Sequence, residues 1–153
     1  MNQLPSRHGV SALPVGAWIA VAATAAGAVL FGVSVTQQVG SGAPLGALPA
    51  FLMIAAMIFV PQALIVFLLA QRSRTGQQLG AILAALYAVV GLAAGAYWLM
   101  GGRITNAGAA DSLYLLAPNI VMGFMDAVAA VVAWVRLPAA GPASHGPRTI
   151  APN

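Results

Sequence analysis

The chain has 153 residues, of which 61% are hydrophobic and only 5% carry a formal charge. A soluble domain carries roughly 25% charged residues, so this composition excludes a water-exposed globular fold unless another chain covers the surface. Cysteine is absent, which excludes disulfides, thiolate metal sites and cysteine nucleophiles.

Four apolar blocks, in chain order, predict four transmembrane helices. They run from about 13 to 37, 49 to 70, 77 to 100 and 112 to 136. Each is at least about 20 residues long, the length that a helix needs to cross a hydrocarbon core of roughly 30 Å. Because the bilayer offers no water to backbone amides, each block should be helical despite its many Val and Gly residues. The predicted fold is an all-α polytopic membrane protein, a four-transmembrane-helix bundle with short loops.

The two ends of the chain are predicted to be tails. Residues 1–12 precede the first helix, and residues 138–153 belong to a stretch after Arg136 with four Pro in 17 residues, which we expect to be disordered. The first apolar block could instead be a signal peptide, because Ala26-Gly27-Ala28 resembles a cleavage site. We favour an uncleaved helix, since the apolar stretch continues to Val35, beyond the roughly 7–15 residues of a signal peptide's hydrophobic region.

The arginines predict the orientation. Four crossings put both termini on one side, and that side would hold five of the six arginines, with Arg103 alone on the other. Arginine is concentrated in cytoplasmic loops, so both termini should be cytoplasmic. A chain without Lys or Glu but rich in Ala, Gly, Pro and Arg indicates GC-rich coding and hence a bacterial plasma membrane. The arginines form no basic cluster, so we expect no nucleic-acid partner.

Asp126 lies just past the middle of the fourth helix. An ionised Asp near the centre of a membrane helix costs roughly 2.5–3.5 kcal/mol, so such residues usually face protein or water. At about 100° per residue, its face carries Asn119, Met122, Gly123, Ala129, Ala130 and Ala133. The opposite face carries Val121, Phe124, Val128, Val131, Val132 and Val135. Asp126 is therefore predicted to point into the bundle.

Gln62 is the predicted partner of Asp126, with Asn119 as a second polar group on the same face as Asp126. Gln62 follows Pro61 in the second helix at a matching depth, and its amide can donate to a carboxylate or accept from a carboxylic acid. Gln62, Asn119 and Asp126 form a candidate intramembrane polar or proton site. It could relay protons, or it could be a structural contact that holds the fourth helix to its neighbours. We favour the structural contact, because no second acid and no Arg or His lies at membrane depth in the predicted helices.

Small residues in the third helix predict close helix packing. Ala84, Ala88, Gly91 and Gly95 lie at i, i+4, i+7 and i+11, on one face. Without large side chains two helix backbones can approach closely, which is how helices gain packing energy in a bilayer. We expect this stripe to serve internal packing, with homodimerisation as the alternative.

The remaining residues provide little for chemistry. His8 and His145 have no second ligand nearby, so we expect no metal site, and no motif indicates a cofactor. With only two acidic residues, the chain has almost no side chains that could act as general acid or general base. We therefore expect a non-catalytic accessory, assembly or structural membrane subunit. The alternative is a small proton-linked transporter or channel using Asp126, and a membrane enzyme is least favoured. The expected partners are the lipid bilayer and either a second copy or another membrane protein.

Overall fold

The computed structural model describes residues 13–40, 48–102 and 109–137, and this part of the chain is all-α. It contains four helices: α1 Val15–Gly40, α2 Leu48–Ala70, α3 Arg74–Leu99 and α4 Ala109–Val135. Each helix boundary lies within three residues of its predicted position. The predicted tails, 1–12 and 138–153, lie outside the described residues.

All four helices are long and apolar enough to cross a membrane. Their candidate spans comprise 24, 22, 26 and 20 residues, against the roughly 20 residues that a hydrocarbon core requires. The prediction of four helices of transmembrane length is confirmed. The helices continue through Pro61 in α2 and Pro118 in α4.

The start of α3 differs from its prediction. The helix begins at Arg74 rather than at Gln77, because Ser73 caps it: the Ser73 Oγ accepts a hydrogen bond from the Gly76 N–H at 3.1 Å. A serine cap satisfies one of the amides that a helix leaves unpaired at its start. At the other end the chain leaves the helix through Gly101, whose φ of +80° is a conformation that favours glycine.

The helices pack in a ring in which each one packs extensively against two neighbours. The order around the ring is α1, α2, α3, α4 and back to α1, and the contacts of α4 with α3 and α1 are the most extensive. Neighbours run antiparallel. Gly16 of α1 lies against Ala133 of α4, and Gly27 lies against Met122 further along. α4 therefore packs closely against both α1 and α3, and its inward-facing side chains line the centre of the ring.

The core on one side of Asp126 is built mainly from alanine. Ala17 and Ala20 of α1, Ala84 of α3 and Ala129 of α4 are all fully buried. Ile65 and Leu69 of α2 are the large side chains that fill the space between them; these six belong to one continuous hydrophobic cluster. Small side chains let the backbones approach closely. Van der Waals contacts between helices then provide stabilisation, because burial from apolar lipid gives no hydrophobic driving force.

The predicted small-residue stripe of α3 packs inside the protein. Ala84, Ala88 and Gly91 are buried, whereas Gly95 is half-buried. Gly91 lies against Gly123 of α4, so close that a Cβ on Gly91 would stand 2.7 Å from the Gly123 Cα. This stripe forms the α3–α4 contact.

α4 presents the two faces that its sequence predicts. Met122, Gly123, Asp126, Ala129 and Ala130 are buried. The exposed residues of the opposite face are Phe124, Val128, Val131 and Val135. The helical wheel therefore predicted the direction in which Asp126 points.

Candidate functional site

Asp126 and Gln62 form a hydrogen-bonded pair in the middle of the protein. Both residues are 0% exposed to solvent. The Gln62 Nε2 donates to the Asp126 Oδ2, which joins α2 to α4 across the ring. The structure thus brings together the two residues that their depth and face had paired in the sequence.

Matching depth explains why these side chains meet. Asp126 lies nine residues before the end of α4 at Val135, and Gln62 lies eight residues before the end of α2 at Ala70. At 1.5 Å per residue these positions differ by only about 1.5 Å along the helix axes. Parallel orientation of α2 and α4 therefore places an amide and a carboxyl at one level.

Thr24 extends the pair to a third helix. Its Oγ1 donates to the carbonyl oxygen of Ala20 at 2.8 Å and lies 3.4 Å from the Gln62 Oε1. Thr24 is nine residues into α1, which is the same depth again. Thr24 is half-buried, whereas Gln62 and Asp126 are fully buried. These three residues, which we call the polar triad, therefore connect α1, α2 and α4.

Asn119 belongs to a second polar cluster rather than to the polar triad. The Tyr87 hydroxyl of α3 donates to the Asn119 Oδ1 at 3.2 Å and lies 3.5 Å from the carbonyl oxygen of Ile58 in α2. Asn119 precedes Asp126 by seven residues, about 10 Å along the helix. Asn119 was predicted as a second polar group on the face of Asp126, but at that separation it is beyond direct hydrogen-bond reach, and its Oδ1 accepts from Tyr87 instead.

One oxygen of the carboxyl group has no partner. The Asp126 Oδ1 is buried and accepts no hydrogen bond from the described residues. The α1–α4 contacts at 16/133 and 27/122 share one antiparallel register, which places Ala23 opposite Asp126. Ala23 is fully buried and carries no polar group. The carboxyl group therefore has an apolar neighbour where α1 meets α4.

Neither Asp126 nor Gln62 lines any of four grooves, of about 240 to 610 Å³, on the described surface. Thr24, whose Oγ1 lies 3.4 Å from the Gln62 Oε1, lines the groove of about 610 Å³. The groove nearest a helix end is lined by Arg136 and Gln77 among others. Arg136 is ten residues beyond Asp126, about 15 Å along the chain, and the alanine core fills the space between them. Asp126 and Gln62 are fully buried, while their neighbour Thr24 is half-buried beside a groove.

Sequence reasoning missed Thr24 and Tyr87. Both carried a usable signal. Tyr87 lies at the middle of α3, whereas tyrosines in membrane helices concentrate at the interfaces, so a central hydroxyl indicates a hydrogen-bond partner. Thr24 can bond its own helix at i−4, which is why its second contact, to another helix, is not visible from the sequence.

The arrangement provides hydrogen bonds between helices but no reacting constellation. Among the described residues, no group of three or more His, Cys, Asp or Glu side chains could hold a metal ion. His8 and His145 lie outside the described residues. A carboxyl group without a neighbouring nucleophile or second acid is suited to binding a proton or a neighbouring amide.

Comparisons of the chain with protein-family models, with curated proteins and with solved structures found no match.

Proposed function

We propose that this protein is a four-helix transmembrane bundle that serves as a non-catalytic accessory, assembly or structural membrane subunit. The observation that carries the proposal is the Asp126–Gln62 pair, in which two polar side chains are fully buried against each other. Interhelical hydrogen bonds of this kind hold membrane helices together. The arginine distribution favours a bacterial plasma membrane with both termini in the cytoplasm.

The complete burial of Asp126 supports a structural role for it. A transported proton must reach its carboxyl group from one side of the membrane and leave to the other. Asp126 is 0% exposed and lines none of the four described grooves, of which the nearest reaches Thr24, the neighbour of Gln62. The carboxyl group is therefore placed to fix the α2–α4 contact.

The partners of such a subunit are lipid and protein. Exposed side chains on all four helices are large and apolar, for example Val29, Met57, Leu86 and Val131, as is appropriate to a lipid-facing surface. A second copy of this chain or another membrane protein would pack on part of that surface.

A small proton-linked transporter or channel is the second candidate function. The unpartnered Asp126 Oδ1 favours it, because a buried acceptor without a donor is unusual in a purely structural contact. In this case Asp126 would bind and release a proton during transport.

Proton flux into vesicles separates the two candidates. The purified protein is reconstituted with a pH-sensitive dye inside, and a potassium diffusion potential drives proton entry. We expect the same flux for the wild type, for Asp126→Asn and for protein-free vesicles. A wild-type flux that Asp126→Asn abolishes, while the variant still folds, would overturn the structural role.

Native mass spectrometry tests the accessory role directly. The tagged chain is extracted from its own membrane in mild detergent. We expect a species heavier than the 15.4 kDa chain, with a second copy or a stoichiometric partner. A lone monomer under all extraction conditions would contradict the proposal.

A further inference from the structure

The surroundings of Asp126 bear on whether its carboxyl group is ionised or protonated. Asp126 is completely buried, its one hydrogen-bond partner among the described residues is the neutral Gln62, and no described cation pairs with it. An ionised carboxylate in apolar surroundings is costly unless a cation or several donors compensate it, and otherwise the group takes up a proton. This site provides a single donor.

Counting protons in the triad shows what an ionised Asp126 would lack. A carboxylate only accepts hydrogen bonds, so the Gln62 amide must turn its nitrogen toward Asp126 and its oxygen toward Thr24. Thr24 has one hydroxyl proton, and the short 2.8 Å contact with the Ala20 carbonyl oxygen takes it. The 3.4 Å contact between Thr24 and Gln62 then joins two oxygens with no proton between them.

Reversing the amide supplies one proton to each contact. The oxygen and nitrogen of a glutamine amide occupy the same space, and its hydrogen-bond partners decide which way it points. With the oxygen toward Asp126, a protonated carboxyl group donates to Gln62. The Gln62 nitrogen donates to the Thr24 Oγ1, and Thr24 donates to the Ala20 carbonyl oxygen. Three contacts then have three protons.

We propose that Asp126 is a permanent proton-binding site, and that its carboxylic acid begins a directed hydrogen-bond chain through Gln62 and Thr24 to the Ala20 carbonyl oxygen. This series of hydrogen bonds runs from α4 through α2 to α1. The ligand is a single proton, held without exchange during function. This inference deepens the structural role proposed above and rests on it.

Among the described residues, no titratable or charged group packed around Asp126 is placed to take the proton from it. α1 contributes Ala23 and Thr24, and α2 contributes Gln62, none of which titrates. On α3 the titratable group is Tyr87, whose hydroxyl is engaged with Asn119 and Ile58. The described arginines lie at or beyond the helix ends: Arg72, Arg74 and Arg136.

Infrared spectroscopy of the full-length protein in lipid nanodiscs tests the proposal. The chain has only two acidic side chains, Asp111 and Asp126, so Asp111→Asn leaves a single aspartate, and ¹³C-labelled aspartate marks its C=O stretch without altering Asp126. We expect a protonated carboxyl band that shifts with the label and persists from about pH 5 to about pH 9, far above the usual titration near about 3.9. The band should be absent from Asp126→Asn.

Two results would overturn the proton site. One is a labelled carboxylate band in place of the acid band at neutral pH. The other is a carboxylate band that moves when sodium is replaced by potassium or choline, since that would show a bound metal cation as the counter-charge. Neither depends on the vesicle flux, so an ionised Asp126 without flux would overturn this inference and leave the structural role standing.

The direction of the hydrogen-bond chain can be tested separately with a matched pair of variants. Thr24→Val removes the acceptor of the Gln62 nitrogen and should shift the Asp126 acid band, because hydrogen bonds in a chain polarise one another. Thr36→Val is the control: its hydroxyl also bonds its own helix, to the Val33 carbonyl oxygen at 2.8 Å, but on an exposed face. An acid band equally indifferent to both substitutions would overturn the directed chain.

Discussion

Depth along the helix decides which polar side chains meet in this protein. Thr24, Gln62 and Asp126 each lie eight or nine residues from the same end of the ring of helices, and they contact one another. Tyr87 and Asn119 lie further along and form a separate cluster. In an apolar medium a polar side chain is stabilised only by partners at its own level, so position along the axis is as important as residue type.

The Asp126–Gln62 pair is expected to show measurable coupling. Asp126→Leu leaves Gln62 buried without its partner and should cost roughly 0.6–2 kcal/mol of unfolding free energy, the range for interhelical bonds in membranes. Asp126→Asn should be milder, because its amide can still bond to Gln62. Denaturation in detergent micelles provides the measurement.

A double-mutant cycle isolates the pair. Asp126→Leu with Gln62→Leu should cost less than the sum of the single variants, since neither residue is then left without a partner. Val131→Leu, on the exposed face of α4, is the control and should change little. Additive effects, with no coupling, would show that the two side chains do not stabilise each other.

The α3–α4 contact depends on two glycines that face each other. A Cβ on Gly91 would overlap the Asn119 carbonyl oxygen, and a Cβ on Gly123 would stand 2.7 Å from the Gly91 Cα. Backbone atoms cannot move aside as a flexible side chain can, so a methyl group at either position must push the helices apart. This separation would also loosen the neighbouring Tyr87–Asn119 contact.

Gly91→Ala is therefore expected to destabilise the protein by roughly 1–3 kcal/mol, the usual cost of overpacking. Gly95→Ala is the matched control in the same helix: its Cβ would lie 3.6 Å from the Ile120 side chain, an ordinary contact. Thermal denaturation of both variants in nanodiscs gives the comparison. Equal stability of the two would show that the α3–α4 contact is looser than described here.

The sequence predicts elements better than it predicts contacts between them. The four helices and the inward face of α4 follow from apolar length and from helical periodicity, which are local properties. The Asp126–Gln62 pair was predictable because an ionisable group at mid-depth allows few alternatives. The start of α3 was missed because Ser73, between two arginines, looks like part of a loop. Thr24 and Asn119 required the register between helices, which packing of alanine and glycine backbones determines and which composition does not reveal.

At the scale of the whole molecule, four helices of transmembrane length form a ring in which neighbours run antiparallel and Asp126 and Gln62 are fully buried. Two parallel helices, α2 and α4, are joined across the ring by the Asp126–Gln62 bond. An even number of crossings returns the chain to its starting side, so the arginine asymmetry applies to both termini at once.

Cysteine labelling tests the proposed orientation. Single cysteines replace Ser41, Ala107 or Ser144 in intact cells, and the chain has no native cysteine to interfere. An impermeant thiol reagent should label positions 41 and 107, because five of six arginines predict that the termini are cytoplasmic. Labelling at 144 but not at 41 or 107 would reverse the orientation.

Water access to the centre of the ring tests the central claim most directly. Single cysteines at Asp126 and at Ala23, on the facing helix, are exposed to a small charged thiol reagent in the folded protein, with Thr75→Cys at the exposed start of α3 as the reactive control. A dry, structural Asp126 predicts that positions 126 and 23 stay unlabelled until the protein is denatured, while position 75 reacts at once. Labelling of position 126 in the folded protein, at a rate approaching that of position 75, would reveal a water path and contradict the account.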